Sequence, residues 1–592
     1  MFSSLSGYAQ QAPSDTSPAT LHTQSNIVLL DVVVTAGNKP MHGLTQDKFQ
    51  VFDNGKPQQI SSFEEHQPSD APVVAKPLAL DPNIYTNAPE YIVDSAANVL
   101  LLDALNTPET DQQSVRQQMI KYLKTVAPGT RIAVFTLASQ LRMVEGFTTN
   151  AGMIVASLTG KDNAQPSTVL SPDFNSQLAD QANVADSLGA SPLAVSSMQQ
   201  FLGDLTSFQT DLRVRMTLDA LQELARYLSS VPGRKNLIWF SASFPLSIDP
   251  DTTLPSEFEV LRNYSSDVRL TDSMLSQARV AVYPIDARGL MVPPTSEASN
   301  AIAKSSLGLP SAMSNAGGGR HGGGATGGRA VNNSAGNAAA TAESKTLLQN
   351  MQEHATMQQV AEDTGGEAFM NTNGIKEAIE QAVANGSSYY TISYSPHLEN
   401  FDGSFHTLKI KVDGQYETAY RHGYYAEDLA KAKVDPVESR RMMASALQPD
   451  SPPLSELLFK VRVQPADAQS TTTPATMPVH MAKGTLMHYV IDYGVPVHSV
   501  NFTTTADGVH HAHLEFAVIA FDANGKKLNF VDQNANFDLD AAHYDQFLKY
   551  ALPLHQEIDL PAGKASVRIV VHDLINQHVG AIEVPLLVLA RK

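Results

Sequence analysis

The chain has 592 residues, enough for several domains, and 60 acidic against 41 basic residues give it a net charge of −19. That balance argues against a nucleic-acid surface built from bulk charge and against attraction to anionic lipid. Cysteine is absent, which excludes a disulfide framework, thiol catalysis, iron–sulfur clusters and cysteine-based zinc sites.

Residues 1–24 are polar and lack both a basic n-region and an apolar h-region, so they are expected to be a disordered tail or the remainder of a leader. No run approaches the ~20 apolar residues that cross a bilayer. Residues 26–36 are β-branched and of strand length, Asn54-Gly55 is a hairpin signal, and Gln59–Phe63 reads as the return strand. Residues 25–66 are therefore expected to form a small N-terminal β module, followed by a Pro/Ala-rich linker over 67–95.

From Tyr91 strands and helices alternate. Val99–Asp103 is a buried strand ending in a carboxylate, and helical spacing follows over 110–126. Arg131–Leu137 is the next buried strand and Leu141–Phe147 an edge strand. A Ser/Ala/Gln-rich stretch over 160–208 reads as an insertion, and Asp211–Ser229 as an amphipathic helix. The strand Lys235–Phe240, a helix over Thr271–Ala278 and the strand Val280–Ile285 come next. Residues 288–345 lose all pattern, and Gly317–Gly328 holds eight glycines, so a disordered loop is expected. Leu347–Asp363 is helical and capped by Thr364-Gly365-Gly366. A helix over Ile375–Ala384 and the strands Tyr389–Tyr394 and His406–Val412 follow.

This alternation implies a mostly parallel sheet with helices on both faces, whose ligands sit beyond the C-terminal strand ends. Asp103 and Ser241-Ala242-Ser243 fall there. A charged helical connector over 426–454 then leads into 455–592, which shows only strands, with turn signals at Asp507-Gly508 and Asn524-Gly525. That spacing predicts an antiparallel β-sandwich of immunoglobulin-like type.

Asp103 at its strand end, the Leu218–Leu228 helix and Pro232–Phe244 together resemble a von Willebrand factor type A domain. The closer resemblance is to the bacterial von Willebrand factor A-related family abundant in acidobacterial genomes. Its supporting marks are Leu44–Gly55, Val360–Gly366 and Tyr389–Pro396, and it covers residues 25–425, with 96–425 as the A-like domain. Residues 555–588 resemble the C-terminal β region that such proteins often carry. The resemblance implies a Rossmann-like A domain, export, and an adhesive or scaffolding role.

It also implies where a metal would sit. A domains that bind a divalent ion carry D-x-S-x-S after the first strand, a Thr from a later loop and an Asp after the fourth strand. Here the motif reads Asp103-Ala104-Leu105-Asn106-Thr107. Asp103 matches, Leu105 cannot ligate, Thr107 offers a hydroxyl and Asn106 a carbonyl oxygen. Thr217, with Thr210 behind it, stands for the later Thr, and Ser241 or Ser243 stands where Asp is expected. The expected site is thus a degenerate one of Asp103, Thr107, Thr217 and Ser241, for Mg²⁺ or Mn²⁺. The alternative is that Asp103 caps the following helix or satisfies loop amides.

Other signals are weaker. His511 and His513 share a strand face, and Asp286 ends a strand. No phosphate-loop, nucleophile-elbow or H-E-x-x-H motif occurs. Tyr and Phe concentrate in 389–425, as cross-strand packing or a recognition surface. The expected function is that of a non-enzymatic, extracytoplasmic binding, adhesion or scaffolding protein with a protein partner. The alternatives are an inert structural envelope protein and a hydrolase using Asp103 and Asp286.

Overall fold

A computed structural model of the chain describes residues 27–37, 39–67, 80–89, 96–159, 191–242, 247–248, 262–289, 350–396, 403–426, 436–466, 479–480, 486–505 and 507–589. At its centre four strands lie parallel in the order Val280–Asp286, Lys235–Ser241, Ala97–Asp103, Arg131–Leu137, and Leu141–Thr148 closes the edge antiparallel. Every residue of the four parallel strands is buried, as happens when helices cover both faces. Alternation assigns the faces. Val99, Leu101, Phe135, Leu237 and Trp239 share one core with Leu218, Leu221, Leu224 and Leu228 of the long helix Pro192–Ser229. Leu100, Leu102, Val134, Ile238 and Phe240 share the other with the helices Glu109–Leu123, Ala151–Thr159 and Ile375–Ser387.

Ala97–Asp103, first of these strands in the sequence, lies in the middle of the sheet. The chain moves outward from it to one side, then crosses back to Lys235–Ser241 on the other. The topological switch point therefore falls between Asp103 and Ser241. On the far edge a helix over 350–364 ends at Gly365, whose φ is +77°. A Cβ on the next residue, Gly366, would stand 1.9 Å from the Val282 carbonyl oxygen, so the chain crosses this strand only as glycine.

Several sequence expectations are corrected. The N-terminal module is not confined to 25–66. Val28–Ala36 pairs with Tyr389–Tyr394, which pairs with Ser62–His66, and Phe49–Asp53 pairs with Phe405–Val412. Leu30, Val32, Phe49, Val51, Tyr390, Ile392, Leu408 and Ile410 form its core. A lone hairpin cannot bury a face, and strands from the 389–425 region supply the missing half. Arg279, at φ +55°, ties this unit to the central one by donating to both carboxylate oxygens of Asp31, at 2.9 and 2.5 Å.

The expected linker 67–95 contributes a strand, Ile84–Thr86, to the edge of the C-terminal unit, where it pairs with Lys460–Pro465. The expected insertion 160–208 is partly helix. Pro192–Ser229 begins well before Asp211, with Ser191 accepting from the Ala194 amide and proline at the first helical position. Residues 160–190, and nearly all of the expected glycine-rich loop, lie outside the described residues.

In the C-terminal unit two antiparallel sheets enclose one apolar core. Val461, Ile491 and Leu554 come from one sheet, and Leu514, Val518 and Ile569 from the other. The connector helix Pro436–Ala446 joins it to the central unit. Arg568, wholly buried, donates to the carbonyls of Ala446, Ser451 and Pro452 at 2.8, 2.7 and 2.6 Å. Among the described residues no helix is long and apolar enough to cross a membrane.

A closed polar rim at the sheet switch point

Asp103 ends a strand in which every neighbour is apolar or backbone-paired, so its carboxylate must find partners at the rim. It finds four donors. Oδ1 accepts from the Asn106 amide at 3.0 Å, and Oδ2 from Asn106 Nδ2 at 2.8 Å, Ser241 Oγ at 2.8 Å and Trp239 Nε1 at 3.2 Å. Asn106 Nδ2 also donates to Thr217 Oγ1 at 2.7 Å, and Thr217 donates in turn to the Arg213 carbonyl at 2.8 Å. Thr107 Oγ1 accepts from the Ala242 amide at 3.2 Å. Gln112, on the first turn of the following helix, clamps the loop by donating to the carbonyls of Ala104 and Thr107.

The structure therefore brings Asp103, Thr107, Thr217 and Ser241 together, with Asn106 as the hub. All four are fully buried. Thr210 is spent along its own helix, donating to the Thr206 carbonyl. Ser243 lies outside the described residues. Burial pushes the Asp103 carboxyl up from its ordinary value, against the pull of its hydrogen bonds. Arg213, one helical turn before Thr217, feels both Asp103 and Glu353, although burial lowers its own pKa.

This arrangement does not fit Mg²⁺ or Mn²⁺. Asp103 is fully buried and takes four protein donors, one on Oδ1 and three on Oδ2, so the chain already surrounds its carboxylate. Leu105 is buried in the apolar core, and the other hydroxyls are committed to the chain. Hard cations need several free oxygen ligands and room for water. Among the described residues no group of three or more His, Asp or Glu is placed to hold a metal.

Asp286, at the end of the edge strand Val280–Asp286 beside Ser241, is also fully buried and neutralised from within the chain. Its Oδ1 accepts from Arg288 Nε and from the Arg288 amide, both at 3.0 Å; Oδ2 pairs with His354 Nε2 at 2.7 Å and Arg288 Nη2 at 3.2 Å. Arg288 Nη1 reaches Glu353 at 2.9 Å. Burial opposes the Arg288 charge, but Asp286 and Glu353 outweigh it and hold its pKa above the ordinary value. Both expected carboxylates of a hydrolase are thus enclosed in finished networks.

Sequence reasoning did not single out Trp239, Arg213, Arg288 or His354. The Asp103-x-x-Asn106 spacing, which favours a side-chain-closed loop, was the signal for the hub. His511 and His513 do not converge: His511 pairs with Asp538 at 2.6 Å and His513 with Asn536 at 2.9 Å, both across the same strand pair.

No protein-family model matches the chain, and no curated protein matches it either. Among solved structures, an aerotolerance-related membrane protein from Bacteroides fragilis NCTC 9343, with multiple mutations to serines, is 11% identical with a TM-score of 0.22; the match covers 49% of this chain and 98% of that one. The conserved hypothetical protein BatB from Bacteroides thetaiotaomicron is 9% identical with a TM-score of 0.21, over 49% of this chain and 97% of that one. The PilB minor pilin from Streptococcus sanguinis is 10% identical with a TM-score of 0.21, over 49% and 60%. Overlaps this low carry no functional inference.

Proposed function

We propose that this is a non-enzymatic binding or scaffolding protein, exported from the cytoplasm, whose von Willebrand factor A-like body meets a protein partner without a metal ion. The observation that carries the reading is the enclosure of Asp103, which is fully buried and holds four hydrogen bonds from donors of its own chain. The enclosure of Asp286 supports it in the same way. The resemblance of residues 25–425 to the von Willebrand factor A-related family supplies the binding role. A second reading, an inert spacer, is favoured by Arg279 and Arg568, which lock the central unit to the β units on both sides.

Crosslinking of the purified protein to envelope extract, with Mg²⁺ or with EDTA, tests the proposal. The reading expects the same crosslinked partner in both conditions and from Asp103→Asn. Capture that requires a divalent ion overturns ion independence. Hydrolysis of ester, phosphoester or glycoside substrates that is lost in Asp286→Asn overturns the non-enzymatic reading. A chain that captures nothing in either condition is the spacer.

A further inference from the structure

A cavity of about 490 Å³ lies at the other end of the parallel sheet from the Asp103 rim, where the central unit meets the strand Ile84–Thr86 and the C-terminal unit. It shares no residue with that rim, and its size is that of a small-ligand pocket. Arg131, the first residue of its strand, lines it together with Phe147 of the edge strand and Tyr227 of the long helix. Met143, Val231 and Ile582 add apolar wall.

Arg131 is the unusual member. It is 5% exposed, and among the described residues its side chain has no hydrogen bond and no ion pair. Nε and Nη1 are closed off from solvent; Nη2, unlike them, is reached by it, so Nη2 is the donor presented to the cavity that Arg131 lines. Phe147 holds the guanidinium in place, with its ring centre 4.5 Å from the guanidinium carbon, and stacks in turn on the Tyr227 ring at 6.1 Å. The Tyr227 hydroxyl also lacks a hydrogen-bond partner among the described residues and is not closed off. Enclosed donors are almost always satisfied, so two in one cavity wall ask for an acceptor from outside the chain. The other charges in the wall are already matched. Asp450 pairs with Arg142. Glu583 accepts from the Asp450 amide at 3.0 Å, and its charge acts on Arg568, whose own donors are spent on carbonyls. Burial lowers the Arg131 pKa, and what opposes it is the Tyr227 phenol, not a carboxylate. The unmatched charge is felt as far as Lys235, which burial, then Arg279 and Arg131, push down to about 7 against the pull of Asp31.

We propose that this cavity binds a small organic monocarboxylate. The carboxylate supplies the acceptor that Arg131 Nη2 and the Tyr227 hydroxyl lack and the one negative charge that Arg131 lacks, and its apolar portion lies against Phe147, Met143 and Ile582. A single charge is what the wall accommodates: a phosphate dianion would bring a second, which only Asp450 and Glu583 remain to meet. The same chemistry is offered by a free carboxylic acid and by the C-terminal carboxylate of a peptide.

Titration calorimetry on the full chain tests this with four probes: 3-phenylpropanoate, its neutral counterpart 3-phenylpropanamide, the peptide acetyl-Gly-Gly-Phe with a free C-terminus, and inorganic phosphate. Expected are saturable binding of at least one carboxylate probe, none of the amide, and phosphate weaker than the carboxylate. Arg131→Met keeps the stem against Phe147 and leaves no partner behind, so it is expected to fold, and it weakens carboxylate binding about tenfold or more. Tyr227→Phe weakens it by about threefold or more. Binding of the phenylpropanoate alone identifies a free acid as the guest, and binding of the peptide alone identifies a chain terminus. The proposal is overturned if neither carboxylate binds at about 10 mM, if the amide binds equally well, if phosphate binds more tightly than either carboxylate, or if Arg131→Met binds like the parent. Should Arg131→Met fail to fold, Arg131→Gln and the acid–amide comparison on the parent chain still decide.

Discussion

Glu223 sits where the long helix meets the connector, and it makes the stability of this junction depend on pH. It is buried, with Oε2 accepting from Ser445 at 2.5 Å. Burial pushes its carboxyl up from 4.5 to about 7, although Ser445, Arg568, Ser451 and Arg226 all favour the charged form. The folded-state value lies above the unfolded one, so folding takes up a proton. The stabilisation linked to that proton is complete below about pH 4.5 and is lost as pH rises through about 7. A shift from 4.5 to about 7, at ~1.4 kcal/mol per pH unit, corresponds to about 3 kcal/mol between the two limits. Glu223→Gln removes the titration and keeps the shape and an acceptor for Ser445. Denaturant unfolding of both chains at about pH 5 and about pH 8 measures the difference. The variant gains on the parent by up to ~3 kcal/mol from the lower to the higher pH, with the gain in the transition that separates the central and C-terminal units. Parallel pH profiles for the two chains would refute the reasoning, because a solvated Glu223 would titrate alike in both states.

Three further outcomes follow from particular contacts. Arg568→Met leaves the carbonyls of Ala446, Ser451 and Pro452 without their donor and costs about 3–5 kcal/mol, which calorimetry reads as earlier melting of the C-terminal unit. Asp103→Asn puts an amide among four donors and costs about 2–4 kcal/mol, while Mg²⁺ and EDTA leave the melting temperature of the parent chain unchanged; an Mg²⁺-dependent rise would reinstate an ion site. Gly366→Ala drives a methyl into the Val282 carbonyl and lowers stability by about 2–4 kcal/mol in chemical unfolding, whereas Gly525→Ala, in an open turn at φ +75°, costs about 1 kcal/mol.

Local periodicity was legible where it was strong. The expected strands Val99–Asp103, Arg131–Leu137, Lys235–Phe240 and Val280–Ile285 lie within Ala97–Asp103, Arg131–Leu137, Lys235–Ser241 and Val280–Asp286. Each is a short apolar run bounded by turn residues, and a strand buried on both faces has no other pattern. Asp522-Ala-Asn-Gly525 is the hairpin turn its composition suggests, with Asp522 Oδ1 accepting from the amides of Asn524 and Lys526. What periodicity does not contain is which strands pair across long separations. Nothing local in Val28–Ala36 says that Tyr389–Tyr394 is its neighbour, or in Ile84–Thr86 that Lys460–Pro465 is. The rim was legible as a gathering of residues, because strand ends at a switch point converge by topology. Its chemistry was legible in part: the alternative that Asp103 satisfies loop amides describes the Asn106 amide, whereas Trp239 and the Asn106 side chain are ordinary residue types whose direction only the packed structure fixes.

A sheet of parallel strands collects carboxylates at one end, and their charge must be balanced there. An ion from solution can do it, and then the state of the rim follows ion concentration. Side chains can also do it, and then the rim is set at folding. In this chain the second solution is built at both strand ends: Arg288 neutralises Asp286, to which His354 is also hydrogen-bonded, and Arg213 feels the charge of Asp103 while Asn106, Ser241 and Trp239 donate to its carboxylate. Arg213 and Thr217 stand one turn apart on the long helix, so the helix delivers a charge and a hydroxyl to the same rim. The same helix carries Glu223 to the opposite junction with the connector. Any movement of it would disturb the rim and the C-terminal contact together. Losing the Asn106 bridge by Asn106→Leu should therefore loosen Thr217 on its helix, and hydrogen exchange at the helix amides near 213–223 is the measurement that detects it. Faster exchange confined to the loop 103–108, with the helix unchanged, would show that the rim and the helix are independent.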